Sequence, residues 1–555
     1  MNSQDNKKEK TTLFYFKNDF RSINNLEKVG KCHSGLYVRL HSAITENKVG
    51  FMPINNRNLF KNNFRNITGI KHYSVYLEFI MNTFVSAIEN QMTTTENGMV
   101  ARQNSASACV DFFYKSGAMR GQDIIPTFVS AYVENNEIAL RIAQWLRDVR
   151  GGAGERELFR NILQYLENTD SESCVKLLHK IPEIGRFDDL FAVQTKNMRK
   201  IAFEIYRKYL NDNNGLAFKY CPREKSSNKK DYVEFRNFLG LSAKDYRKFI
   251  VAGSNTTEQL MCAKKFEEIN FSHVPSLCHA RNKKAFLKNA PEQYKEYAKN
   301  LQNGTAKINA DAVFPHDVLR GKIGFYGKLE WSETELTVIE QQWNALPNYV
   351  GEASVLPLVD VSGSMSCLVN GGKSSLCCLD IAVSLGLYVA DKNTGPFKDV
   401  FLTFSRTPEL VHLKGNINQK IDQMVSSHWA MNTDLEKALE KILNVAVTGK
   451  VSSEEMPKVL LVLSDMQFDE ATDFNQTAME MIRAKYAQSG YEVPVIVFWN
   501  LKAYSNCPAK FDESGVALIS GFSPAILKSV LGNNLENISP ENIMLETVMI
   551  SRYEI

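Results

Sequence analysis

At 555 residues the chain is too long for one ordinary core, so two large domains with tails are expected. Its 44% hydrophobic and 23% charged content is that of a globular protein. No apolar run approaches the roughly 18 residues a membrane helix needs, and the opening "MNSQDNKKEK" lacks the apolar centre of a secretory signal. A cytoplasmic chain with no membrane partner is the expectation. The net charge of +4 hides an asymmetry: residues 1–350 hold 50 Lys and Arg against 38 Asp and Glu, whereas residues 351–555 hold 16 against 24. An anionic partner would therefore meet the first part.

The ten cysteines are scattered, with no C-x-x-C spacing, as in a reducing compartment where cysteine serves as a small hydrophobe. The adjacent Cys377 and Cys378 read as packing residues on the same grounds, and a redox switch is the alternative.

Residues 1–75 form a polar, basic N-terminal segment. From 76 to 349 the pattern changes to amphipathic stretches of about 10 to 16 residues joined by short polar turns, beginning with "YSVYLEFIMNTFVSAIENQ" and including "NEIALRIAQWLRDVR", "ERELFRNILQYLEN" and "MRKIAFEIYRKYLNDN". This spacing predicts an all-α helical-repeat domain, with repeats too irregular to leave a strict sequence period. Within it, "WLRDVRGGAGERELFR" places a glycine turn between two helices and offers Arg147, Arg150 and Arg156. The turn lacks the G-K-[ST] of a phosphate loop. An internally salt-bridged turn is the expectation for its arginines, and contact with a nucleic-acid backbone is the alternative.

Two further stretches concentrate cations. "FKYCPREKSSNKKDY" offers Lys219, Arg223, Lys225, Lys229 and Lys230 interleaved with tyrosines, and "HARNKKAFLKN" offers Arg281, Lys283 and Lys284. Such runs are either a solvated face or a surface for RNA, whose phosphates take lysine and arginine and whose bases stack on aromatics.

Residues 350–535 alternate short apolar runs, "SVLPLVDVS", "DVFLTFS", "KVLLVLSD", "VPVIVFWNL" and "GVALISGF", with helical stretches. This predicts an α/β doubly wound domain around a largely parallel sheet, followed by a tail at 536–555. In such sheets ligands sit where strands end and connections diverge. There the chain places Asp360, Ser362 and Ser364 in the pattern D-x-S-x-S, Thr433 before a helix, and Asp465 at the end of another buried strand. Hydroxyls with a few carboxylates suit Mg²⁺, which takes about six oxygens and gives up its waters reluctantly. No convincing general base accompanies them, since His412 and His428 are isolated, and the spare acids Asp434 and Asp469 are few for two-metal catalysis. The chain is expected not to be an enzyme.

These residues resemble the metal-ion-dependent adhesion site of von Willebrand factor A (vWA) domains. The resemblance implies that Ser362, Ser364 and Thr433 coordinate the metal by hydroxyls, with Asp360 and Asp465 close by, mostly through water, and an open position for a partner's acidic group. The chain departs from the common pattern at Asn432 and Met466, where many vWA domains carry glycine. The stretches "TENGMVA", "RGGAGER" and "DYRKF", with Asp360–Met365, Asn432–Asp434, Ser464–Asp469 and Phe498–Asn500, resemble a family pairing a helical region with a vWA domain. "GRFDDL", Gly185 to Leu190, is similar to the Ro (TROVE) ribonucleoproteins. That resemblance implies a TROVE/HEAT-like helical domain that binds RNA beside a Rossmann-like vWA domain, in a ribonucleoprotein-like scaffold. A metal-dependent protein-interaction adaptor is the alternative, and a metal-dependent nuclease stands third.

Overall fold

The computed structural model describes residues 92–555 apart from 226–228, 255, 324–329, 370–375, 406, 428–432, 469–477, 505 and 533–536. The chain divides into two units, 1–82 and 83–555, and every described residue belongs to the second. The polar segment 1–75, the amphipathic stretch at 73–91, His428, Asn432 and Asp469 lie outside the described residues.

The helix-rich region runs from Ala108–Ser116 to Glu333–Asn344. Its helices start where short polar side chains satisfy the first free N–H groups: Asn135 Oδ1 accepts from Ile138 N at 3.1 Å, and Ser332 and Glu335 cap each other reciprocally. One part of its core gathers Phe271, Phe286, Tyr294 and Tyr297 around the buried His279. Burial pushes the His279 imidazole down to about 3, so it sits there neutral.

An all-α reading of this region needs one correction. A two-stranded antiparallel hairpin, β1 (Met92–Thr94) and β2 (Val100–Arg102), precedes the helices. It turns at Asn97-Gly98, where Gly98 adopts φ 94°, open to a residue without Cβ.

The second region is a mixed six-stranded sheet. Its strands are β3 (Val355–Val359), β4 (Val400–Thr403), β5 (Leu410–His412), β6 (Val459–Ser464), β7 (Val495–Asn500) and β8 (Val516–Ser520), in the order β5-β4-β3-β6-β7-β8. All neighbours pair in parallel except the edge strand β5, which runs antiparallel to β4. Strands β3, β6 and β8 are buried along their whole length, which explains their continuous Val/Leu/Ile runs. Helix Cys378–Lys392 lies close on β3: a Cβ on Gly386 would come within 2.4 Å of Val359 Cγ2, so only glycine permits this approach.

The topology positions the site. From β3 the chain first moves outward to β4 and β5 and then returns to the other side of β3 as β6. The connections leaving β3 and β6 therefore part in opposite directions and open a crevice at their carboxyl ends, a topological switch point. Asp360 follows β3 and Asp465 follows β6.

The two regions are fastened together at several points. Ser520 Oγ donates to Phe113 O and accepts from Gly117 N, both at 3.0 Å, and β2 bridges to Cys507 through Arg102. The tail returns to the helix-rich region: Gln144 Nε2 donates to Tyr553 O at 2.9 Å, and Tyr553 Oη and the Arg552 guanidinium both engage the buried Asp148. No helix among the described residues is long and apolar enough to cross a membrane.

Candidate metal centre

Asp360 is fully buried and both its oxygens are engaged: Oδ1 accepts from Ser362 N at 2.9 Å, and Oδ2 accepts from Ser464 Oγ at 2.6 Å. The first bond curls the chain into a short 3₁₀ turn, Gly363–Ser366, which brings the Ser362 and Ser364 hydroxyls to 2.9 Å from each other. Ser364 and Gly363 are exposed, so the crevice is open on this side.

Thr433 and Asp465 join the same group through Gln467. Thr433 Oγ1 donates to Gln467 O at 2.8 Å, and Gln467 N reaches Asp465 Oδ1 at 3.4 Å. Asp465 is fully buried, and its Oδ2 has no hydrogen-bond partner among the described residues. Directly after Asp465, Met466 takes φ 64°, the left-handed conformation that glycine supplies in the common pattern, and its N–H is held by Ser464 Oγ at 3.0 Å.

The electrostatics follow from this crowding. Burial, then repulsion from Asp465, raises the Asp360 carboxyl to about 6, against the pull of Ser464 and Ser362. Burial also raises Asp465, and Glu96 adds to the rise, while Ser364, Gln467 and Lys502 draw it down. Two buried carboxylates thus stand close together, and among the described residues neither has a bonded cation and one oxygen has no hydrogen-bond partner. Buried charge of this kind is costly unless it is paired or coordinates a metal.

The donor set fits a hard cation. Among the described residues no three His, Cys, Asp or Glu side chains gather as ligands. Ser362, Ser364 and Thr433 with Asp465 would hold Mg²⁺ directly or through water, and Asp360, already doubly bonded, would act through water.

A contribution with no local sequence signal comes from the hairpin. Thr95 Oγ1 donates to Phe468 O, Glu96 N donates to Gln467 Oε1 at 2.8 Å, and Asn97 Nδ2 donates to Gln467 O at 2.8 Å. The β1–β2 turn thereby sits on the segment that joins Asp465 to Thr433.

The cations singled out for RNA are dispersed by the fold. Arg147 is buried and paired with Asp189, which also takes Arg160 Nε at 2.8 Å. Lys283 is buried too, donating to Val318 O at 3.1 Å; burial pushes its ammonium down to about 8. Neither of these two reaches a phosphate in this arrangement, which corrects their expected place on an RNA-facing surface. In both cases the residue lies on the apolar stripe of its helix, three or four residues from Ala143 and from His279 or Ala280 respectively, and that spacing was the sequence signal for burial. Lys219 pairs with Glu258 at 2.8 Å, Arg156 with Glu157 at 2.9 Å, and Arg281 approaches Asp317 at 3.7 Å. Arg150, Arg223, Lys225, Lys229, Lys230 and Lys284 are exposed or half-buried at the surface.

The glycine turn between Arg147 and Glu155 is structural. A Cβ on Gly152 would stand 1.9 Å from Trp145 O, and the flanking charges are taken by Asp189, Arg552 and Arg120.

Comparison with known proteins matches these two regions to two families. Residues 354–550 match a domain of unknown function (DUF7788), and residues 95–184 and 187–356 match a second domain of unknown function (DUF2828). An uncharacterized protein, L728, of Acanthamoeba polyphaga mimivirus is 28% identical over 516 residues, spanning 82% of this chain and 87% of the relative. The crystal structure of the Ro (RSR) protein of Deinococcus radiodurans aligns over 78% of this chain and 88% of its own, with TM-score 0.34 and 13% identity. The match to DUF2828 thus falls on the helix-rich region, and the match to DUF7788 falls on the mixed sheet that holds the aspartate crevice.

Proposed function

We propose that the protein is a non-enzymatic binding scaffold in which the sheet region, a vWA-type domain, holds one Mg²⁺ at the Asp360–Asp465 crevice and the helix-rich region binds RNA. The observation that carries the metal half is the buried Asp465, whose Oδ2 has no hydrogen-bond partner among the described residues, with a second buried carboxylate near enough to be repelled by it and the paired Ser362 and Ser364 hydroxyls in the following turn. The RNA half rests on the excess of cations in the first 350 residues and on the surface cations Arg223, Lys225, Lys229 and Lys230. The test is twofold. Titration with Mn²⁺, read by calorimetry, gives one site per chain that is lost in Asp465→Ala. Binding to a mixed RNA pool weakens steeply with salt and survives that substitution. Absence of a Mn²⁺ site in the wild type defeats the metal half, and RNA binding indifferent to salt defeats the other.

The adaptor reading has an observation of its own. Arg147, Lys219 and Lys283 are committed to internal partners, whereas Ser364 is exposed at the mouth of the crevice, where a partner's carboxylate would complete a cation's coordination. Partner capture that is lost with EDTA and with Asp465→Ala, in a chain that does not retain RNA, selects this reading.

A further inference from the structure

Immediately after the serine turn the chain places Cys367, which is partly exposed. Its Sγ lies 3.3 Å from the Sγ of Cys378, the first residue of the helix that packs on β3. The backbone already holds the two residues together: Cys378 N donates to Cys367 O at 3.1 Å, and the next pair inward, Leu368 and Cys377, form an antiparallel bridge. Closing from 3.3 Å to the roughly 2.05 Å of a disulfide needs side-chain rotation and a small backbone adjustment.

The three neighbouring thiols have different surroundings. Cys367 is partly open to solvent, and its Sγ stands within reach of the Cys378 Sγ. Cys378 is pushed up, because its proton is shared with Cys367 and it is buried. Cys377, adjacent in sequence, is turned away: its Sγ donates to Asp380 Oδ2 at 3.1 Å, and burial with that carboxylate pushes it up to about 12. One thiol is therefore open to an oxidant, one is enclosed beside it and poised to resolve, and one is kept out of the chemistry.

We propose that Cys367 and Cys378 form a peroxide-reactive dithiol, an oxidative modification site that ties the serine turn to the helix covering β3. The Cys367 thiolate attacks one oxygen of a hydroperoxide; the O–O bond breaks, and the departing hydroxide or alkoxide takes up a proton. Cys367 is left as a sulfenic acid. The Cys378 sulfur then attacks the Cys367 sulfur, the S–O bond breaks, and water leaves with the Cys378 proton as the S–S bond forms. Two electrons pass from the dithiol to the peroxide, and an external dithiol reverses the change. This site stands independently of the metal reading, although the new bond lies three residues from Ser364 and stiffens the turn that carries it.

The experiment uses the full-length reduced protein, pulsed with hydrogen peroxide, blocked with an alkylating reagent and mapped by mass spectrometry. The expected result is a Cys367–Cys378 linkage that forms at least about tenfold faster than oxidation of the exposed Cys262, and that is reversed by dithiothreitol. In Cys378→Ser the sulfenic acid accumulates at Cys367 and is trapped by a dimedone-type reagent. In Cys367→Ser, Cys378 stays reduced. The wild-type map alone decides the matter if either variant fails to fold. Linkage of other cysteines, or Cys367 reacting no faster than Cys262, overturns the proposal.

Discussion

The two regions treat buried charge in opposite ways. Around the glycine turn of the helix-rich region the buried acids each have a cation: Asp189 holds Arg147 and Arg160, Asp148 holds Arg552, and Glu155 holds Arg120. At the ends of β3 and β6 the two buried aspartates face hydroxyls and each other. A charge that is neutralised within the chain fixes packing; one left without its counterpart marks where something from outside must bind. The contrast separates the arginine-rich turn, whose charges are spent on packing, from the serine turn, whose charges are not.

The largest expected effect breaks the first side of that contrast. Asp189→Ala strands two arginines, one of them fully enclosed, and should destabilise the fold by about 3–5 kcal/mol in urea melts. A loss under about 1 kcal/mol would mean that the network is not what holds this corner. Next, Asp465→Asn should act with the opposite sign in EDTA. Removing the repulsion that raises Asp360 stabilises the metal-free protein, by about 1–2 kcal/mol, while Mn²⁺ affinity falls at least about a hundredfold. Destabilisation of the metal-free protein would sink the comparison.

Acidity sharpens it further. Because the folded Asp360 carboxyl stands at about 6, above its usual range, protons compete with the cation below that value; Mn²⁺ affinity should climb by about tenfold per pH unit up to about 6 and then level off. In the helix-rich region acid also weakens the molecule, but there it acts on folding and not on ion binding. His279 and His316 are held neutral by burial, at about 3 and about 4, so the unfolded chain takes up more protons once the pH falls below about 6.5. Stability there should fall by up to about 1.4 kcal/mol per pH unit for each histidine, and His279→Phe should flatten the slope measured by urea melts between about pH 6.5 and 4.5. The smallest expected effect concerns RNA. Replacing Lys225, Lys229 and Lys230 with alanine should lower the salt slope of binding by about 0.7 for each phosphate no longer neutralised, measured by filter retention.

The strand ends were legible because buried parallel strands write long β-branched runs, and an aspartate terminating such a run is conspicuous. Asp360, Ser362, Ser364, Thr433 and Asp465 could be named from that pattern. Ser464 and Gln467 could not, since their importance lies in hydrogen bonds to residues from 34 to 371 positions away. The same is true of the hairpin, whose strands of three residues carry too little alternation to be read, although Asn97-Gly98 marked a turn. Edge strand β5 is equally short, so a largely parallel reading missed its direction. For Arg147 and Lys283 the helical spacing marked the inward face, but nothing in it told whether a cation on that face has a mate.

The turn of the early hairpin rests on Gln467, so the floor of the crevice is completed by residues about 370 positions upstream, 371 for Glu96 and 370 for Asn97. A fragment cut to the sheet alone would keep all five expected ligands and still lose three of the bonds that hold their connecting loop. Ion affinity measured on such a piece should therefore underestimate that of the intact molecule, and adding back a peptide spanning 92–102 should recover part of the difference.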